Sequence, residues 1–255
     1  MPYRFEGLAP YEIVNSIDLK GLDPLRQVPK YLIMGSGRVA RHMSYYLSLL
    51  EIPFIQWDGI EHVKTLLTKI DRVLVLVSDS AIEKVITENG LIEKSKIIQF
   101  SGALVTDRAY GAHPLMTFGN EVYDLKTYQG FPFIIENEGP DFSELMPGLP
   151  NLSYKIPREL KPLYHSLCVL SGNFTVLLWQ KFFTDMKNKF GVPQESIKPF
   201  LHQTLINLEK NYESAFTGPL SRRDLETIQR NITALASDPY ADVYRSFVKT
   251  QGLEI

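Results

Sequence analysis

The five residues Val73-Leu-Val-Leu-Val77 are apolar at every position and mostly β-branched. A strand made from them must be covered on both faces, as a central strand of a parallel sheet is; a one-sided antiparallel sheet would show alternation instead. Similar short runs recur at 31–34, 54–57 and 96–100, with weaker candidates at 111–113 and 131–135 and a last extended stretch at 152–156. Between the first two, Val39, Ala40, Met43, Leu47 and Leu50 fall on one helical face, completing a β-α-β unit. The expected fold class is therefore α/β, a doubly wound parallel sheet over 30–156. Ahead of it, residues 1–29 hold Pro2, Pro10, Pro24 and Pro29 and read as an irregular arm.

Past the sheet the pattern becomes helical. Pro162 can open a helix that runs to about 190, where Gly191-Val-Pro193 stops it. Its residues Leu163, Leu167, Leu170, Phe174, Trp179 and Phe183 leave little polar face, so the helix belongs at the centre of a domain or against a partner. Further helices are expected at 195–212, 223–236 and 240–250, giving an all-helical domain over 157–255.

Charge narrows the partners. Twenty-seven basic residues against 29 acidic ones give a net charge of −2, and no basic stripe runs through the chain, which argues against nucleic acid. No run approaches the roughly 18 apolar residues of a membrane span, and the opening residues lack an apolar signal core, so a cytoplasmic protein without a membrane partner is expected. The single cysteine, Cys168, excludes an internal disulfide and a cysteine-based zinc site; it reads as a small core residue, and no metal is expected.

The first predicted strand runs straight into Gly35-Ser36-Gly37-Arg38-Val39-Ala40, which opens the first helix. That context is the one a Rossmann-like dinucleotide fingerprint requires. Gly35 would permit the tight turn, Gly37 would let the backbone approach a pyrophosphate, and Ala40 would allow close helix–strand packing. Asp58, 23 positions after Gly35, is near the spacing of an acid that binds ribose hydroxyls, which favours NAD. Arg38 could instead reach the 2′-phosphate of NADP, and Asp58 could be a solvated turn residue. After the VLVLV strand, Ser78 and Asp79 complete the expected cofactor-binding set.

Four further segments stand in a telling order: Ser101-Gly-Ala-Leu104, Gly111-Ala-His-Pro-Leu115, Tyr164-His165 with Asn173, and Thr217-Gly-Pro-Leu-Ser-Arg222-Arg-Asp224. Together they resemble a family of Rossmann-like proteins that carry the domain of unknown function DUF2520, over about 30–236. The resemblance implies an NAD(P)-binding domain followed by a helical dimerisation domain, related to pyrroline-carboxylate reductases, 6-phosphogluconate-type dehydrogenases and prephenate dehydrogenases. It favours NADP and a homodimer. The chain departs from the family pattern at Ser78, where proline is common, at Arg223, where glycine is usual, and at Trp57-Asp58, which replaces an end suited to NADP.

Hydride transfer at a carbon bearing oxygen needs a group that moves the hydroxyl proton, and histidine suits that task near neutrality. His113 is expected just after a strand at the carboxyl end of the sheet, with Ser101 able to hydrogen-bond the same substrate oxygen. Resemblance to prephenate dehydrogenases suggests the same two roles. In the long helix, Ser166 and Asn173 are seven residues apart and about 20° from alignment, with His165 beside that face and Lys161 just ahead. Lysine and asparagine on the corresponding helix contact substrate in the related dehydrogenases, so Lys161, His165 and Asn173 are expected substrate ligands. Arg222 with Arg223 could clamp a carboxylate, or the segment could simply start a helix capped by Asp224. His113 could likewise only hold a turn. His42, His62 and His202 read as surface or helix residues.

The sequence thus points to an NAD(P)-dependent oxidoreductase acting on a small polar substrate in a cleft between its domains. The competing reading is a dinucleotide-binding sensor or scaffold dimer without turnover. An imine reductase, in which His113 would matter less, is a third.

Overall fold

A computed structural model describes residues 30–57, 67 and 70–254 of the chain. These fall into two compact units, one ending at Phe174 and one beginning at Thr175.

In the first unit the expected strands form, with small changes of limit. They are β1 (Tyr31–Met34), β2 (Phe54–Trp57), β3 (Arg72–Val75), β4 (Ile97–Gln99), β5 (Tyr110–Pro114), β6 (Phe133–Glu136) and β7 (Ser153–Ile156). Their order in the sheet is β2-β1-β3-β4-β5-β6-β7. β1, the innermost start of the chain's path, pairs in parallel with β2 on one side and β3 on the other, so connections leave β1 and β3 in opposite directions. That divergence is the switch point at which open α/β sheets bind ligands.

The sheet is not parallel throughout. β5 pairs antiparallel with β6, while β6 and β7 run parallel to each other. A parallel β5–β6 pair would need the chain carried back along the whole sheet, usually by a crossover helix; residues 115–132 are numerous enough for that but are not used in that way. The connection here contains only a six-residue helix, α3 (Leu125–Gly130), and the chain returns in the opposite sense.

Among the described residues, two α-helices besides α3 connect the strands up to β6: α1 (Arg38–Leu49) and α2 (Asp79–Glu88). The α1 face predicted from the sequence is the one that packs, with Ala40, Met43 and Leu47 fully buried against Tyr31, Ile33 and Leu74. A second cluster, built on Leu32, Val73, Val75, Ile82 and Ile86, covers the other face. The sheet is therefore sandwiched, which is why Tyr31–Met34 of β1 and Val73–Val75 of β3 are apolar at every position.

His42 is a helix residue, one of the two settings expected for it, but it is not on the surface. It lies on the buried side of α1 at full burial, one helical turn before the buried Tyr46. Its Nδ1 is 2.7 Å from the Tyr128 hydroxyl and its Nε2 is 3.0 Å from the Gly119 carbonyl oxygen, so both ring nitrogens are satisfied. A histidine paired at both nitrogens can be buried without the cost of an orphaned polar atom. His62 lies outside the described residues, and His202 is exposed on a helix as expected.

After α4 (Phe142–Leu145) and β7, a 3₁₀ turn at Arg158–Leu160 leads into α5 (Lys161–Cys168), a π-helical stretch (Val169–Phe174) and α6 (Thr175–Phe190) without a break. The long helix predicted from Pro162 to about 190 is thus present, but the π-helical part was not foreseen. Such a stretch bonds i to i+5 rather than i+4, so the 100° arithmetic that aligned Ser166 with Asn173 does not hold across it.

The second unit consists of α6, α7 (Gln194–Lys210), α8 (Pro219–Arg222), α9 (Leu225–Ala234) and α10 (Tyr240–Thr250). Its buried centre is Ile228, Ile232 and Val248, and Trp179, Phe182 and Phe200 pack ring to ring. Lys181 is held 2.5 Å from both Asp185 and Asp238. Among the described residues, no helix is long and apolar enough to cross a membrane.

Candidate functional site

At the switch point, Ser36, Gly37, Arg38 and Val39 face the end of β3, with Val75 to Asp79, and the residues after β4, Phe100 and Ser101, across a cleft of about 430 Å³. The two glycines of the loop do different work. Gly35 has φ +140°, and a β-carbon there would sit 2.2 Å from the Leu76 carbonyl oxygen, so the turn passes over β3 only because the side chain is missing. At Gly37, φ is −73° and nothing lies within 4 Å of where a β-carbon would be. The protein does not use that space. Ala40 is fully buried where α1 packs on the sheet, as its size suggested.

Gly37 caps α1, no side-chain oxygen caps the helix start, and no acidic residue stands in its first turn. The first amides and the positive end of the helix dipole are left for an anion, which suits the pyrophosphate of a dinucleotide. Gln56 at β2 braces the loop by donating to the Gly35 carbonyl, and itself accepts from Ser44. The Arg38 guanidinium is exposed and donates to the Phe118 carbonyl at 3.3 Å. Ser78 caps α2 and Asp79 is its first residue. Asp58 lies outside the described residues.

On the same side of the sheet, the Ser101 hydroxyl donates to the Asp79 carboxylate at 2.6 Å and accepts from the amides of Ala103 and Leu104. It fastens the loop after β4 to the start of α2.

His113 is inside β5, opposite Ile134 of β6, not beyond the strand as its sequence position suggested. Alternation places it on the same face as Gly111, and α5 crosses that face. The helix starts deep. Lys161 is almost fully buried, and its Nζ donates to Glu136 Oε1 at 2.8 Å. A β-carbon on Gly111 would come within 2.3 Å of that Nζ. Arg158 ties the preceding turn to Asp107 at 2.7 Å. Three residues further along α5, the Tyr164 hydroxyl is 2.7 Å from His113 Nδ1, and the His165 ring stands edge-on to His113 with centroids 5.7 Å apart. His165 Nδ1 is buried without a hydrogen-bond partner, against the Cα of Gly102, where a β-carbon would clash at 2.4 Å.

Burial, assisted by the neighbouring His165 and Lys161, pushes the His113 imidazole down to about 4, against a smaller upward pull from Asp79. Burial and the Cys168 thiol push the Tyr164 phenol above its ordinary range. At neutral pH the pair is therefore an uncharged imidazole and an uncharged phenol, able to polarise and orient rather than to carry charge.

The structure thus brings Ser101, His113, Lys161 and His165 into one neighbourhood, though Lys161 and Ser101 spend their hydrogen bonds on Glu136 and Asp79. Asn173 is exposed in the π-helical stretch. Arg222 ends α8, Arg223 takes the left-handed φ of 55°, and Asp224 caps α9 by accepting from the Thr227 amide. A left-handed residue is where glycine is most comfortable, which gives a physical reason for the family's glycine at Arg223. Tyr164 and Glu136 were missed as functional candidates. Tyr164 adjoined a singled-out histidine and could have been found from that; Glu136, within an apolar strand, became legible only through its pairing.

Comparison with known proteins agrees with the architecture. Residues 136–251 match the family model DUF2520, a domain of unknown function. No curated protein is significantly similar to the chain in sequence. Among solved structures, a Bacteroides fragilis protein described as a candidate NADP oxidoreductase superposes with a TM-score of 0.69 at 18% identity, covering 88% of this chain and 99% of that one. A Thermotoga maritima protein gives 0.60 at 20% identity, with 87% and 96% covered. The pyrroline carboxylate reductase of Plasmodium falciparum, with NADP bound, gives 0.53 at 12%, with 88% and 99% covered. The chain thus combines a Rossmann-like sheet with a following helical region, and residues 136–251, from the end of β6 through the last helix, match DUF2520.

Proposed function

We propose that the chain is an NAD(P)-dependent oxidoreductase acting on a small polar substrate. The observation that carries the reading is the cleft at the switch point: its glycine loop leaves open space at Gly37, its helix start lacks an internal anion, and a half-buried histidine lies one short loop away, past Ser101 and Gly102. Solved structures of similar fold include one with NADP bound, which supports the same cofactor class.

In this reading Gly35, Ser36, Gly37, Val39 and Ala40 form the phosphate loop, with Ser78 and Asp79 bordering the nicotinamide side. Arg38, free to leave the Phe118 carbonyl, would take a 2′-phosphate and select NADP, whereas Asp58 would select NAD. When bound, the nicotinamide supplies or accepts the hydride. His113 orients the substrate's reacting group, Ser101 holds the loop beside it, and His165 and Asn173 contribute substrate contacts. Lys161 acts from beneath, through Glu136. The protein works in the cytoplasm as a homodimer joined through apolar helix surface that the single chain leaves exposed at Leu163, Leu167, Leu170 and Leu177.

Calorimetric titration with NADPH and NADH tests this, with Gly37→Asp as the control. One nucleotide should bind, and the variant should lose it while keeping its fold, because the added side chain enters space the protein does not fill. Failure of both nucleotides to bind the parent protein would overturn the proposal.

A further inference from the structure

The hydrogen bond between Tyr164 and His113 settles more than an orientation. A phenol is a much stronger acid than a neutral imidazole N–H, and an imidazole nitrogen is a better acceptor than a phenol oxygen, so the favourable arrangement is O–H donating to Nδ1 at the observed 2.7 Å. A neutral ring that accepts at Nδ1 carries its proton on Nε2. Burial first, then His165 and Lys161, keep the ring neutral against a smaller opposing pull from Asp79. Of the groups facing it, Tyr164, His165 and the Lys161 ammonium come from α5, and Asp79, whose carboxylate already accepts from Ser101, comes from α2. Glu136 is committed to Lys161. The Cδ2 edge of the ring, which adjoins Nε2, lies 3.3 Å from where a Gly102 side chain would start, so this edge faces the loop after β4.

We infer that Tyr164 is a positioning residue that locks His113 as an Nε2–H donor, and that the site accordingly takes a substrate whose reacting group offers a lone pair, a carbonyl or an unprotonated imine, rather than a protonated iminium. The second half rests on the oxidoreductase reading above; the first does not. An iminium N–H has no lone pair for Nε2–H to meet, whereas a carbonyl oxygen gains acceptor strength as hydride arrives and negative charge builds on it.

The test is a two-bond proton–nitrogen correlation spectrum of the full chain labelled with ¹⁵N-histidine at pH 7, with His113→Gln identifying the His113 signals. His113 should show a protonated Nε2 and a bare Nδ1. Tyr164→Phe should return the ring toward a mixture of tautomers, and Cys168→Ala should leave it locked. A protonated Nδ1 in the parent, or an unchanged tautomer in Tyr164→Phe, would overturn the inference; the parent spectrum alone decides it if that variant does not fold.

The substrate class is read separately, from oxidation of whichever reduced nucleotide binds, with simple ketones and aldehydes set against N-alkyl iminium salts. Carbonyls should turn over, and His113→Ala and Tyr164→Phe should each lower their kcat by about 100-fold, the order seen when a donor to a developing oxyanion is removed. Iminium turnover undiminished in His113→Ala, with no carbonyl turnover in the parent, would overturn the substrate class. Absence of nucleotide binding would sink the oxidoreductase reading and leave the tautomer result standing.

Discussion

His113 links the site to the stability of the fold. Its proton binds at about 4 in the folded chain and near 6.5 in an unfolded one, so between those values the unfolded state holds more protons. Stability is therefore complete above about pH 6.5 and is lost as pH falls toward 4, by up to about 3 kcal/mol from this group alone. Urea unfolding at pH 7.5 and 4.5 should show that loss in the parent and a smaller one in His113→Gln. The phosphate-loop glycines offer a second residue-level contrast. Gly35→Ala sets a β-carbon into the Leu76 carbonyl at a positive φ and should cost about 2–4 kcal/mol of unfolding free energy. Gly37→Ala, at an ordinary φ and in open space, should leave the melting temperature nearly unchanged. The division of labour, Gly35 for the turn and Gly37 for an open approach, was legible in the motif; that the atom opposite Gly35 is the Leu76 carbonyl oxygen was not, because motif spacing carries no information about what lies opposite.

Among elements, the strands and the long helices were legible because burial on two faces, or on one helical stripe, leaves a periodic trace. The antiparallel turn-back at β6 left none: Phe133 to Ile135 is apolar whichever way the strand runs. The π-helical stretch was equally silent, since Val169 to Phe174 continues the apolar pattern of the helix around it. The buried Lys161–Glu136 pair, which pins the start of α5 to the sheet, is the element-scale hinge of the site. Removing one partner leaves the other charged and buried, so Glu136→Gln or Lys161→Met alone should each cost about 3–5 kcal/mol, while replacing both by apolar residues should recover most of it. A double-mutant cycle in urea reads that coupling.

For the whole chain, the helix surface containing Leu163, Leu167, Leu170 and Leu177 is exposed within the single chain although the sequence marks it as apolar nearly all round. Large apolar side chains left in solvent along a helix favour an interaction site there. Sedimentation velocity should find a dimer at micromolar concentration, with Leu167→Glu shifting it to monomer; a monomeric parent would refute the dimer. Whether a partner covers such a helix cannot be read from periodicity, which reports only that something does.

The path of α5 is set by two absences, the missing side chains of Gly102 and Gly111, over which His165 and Lys161 lie. Neither glycine offers a reactive group, although both stand in segments that the sequence marks. In a saturation-mutagenesis library selected for function, these two silent positions should nonetheless tolerate as few replacements as His113 itself. An inventory of reactive groups would overlook them, because what they contribute to the site is room.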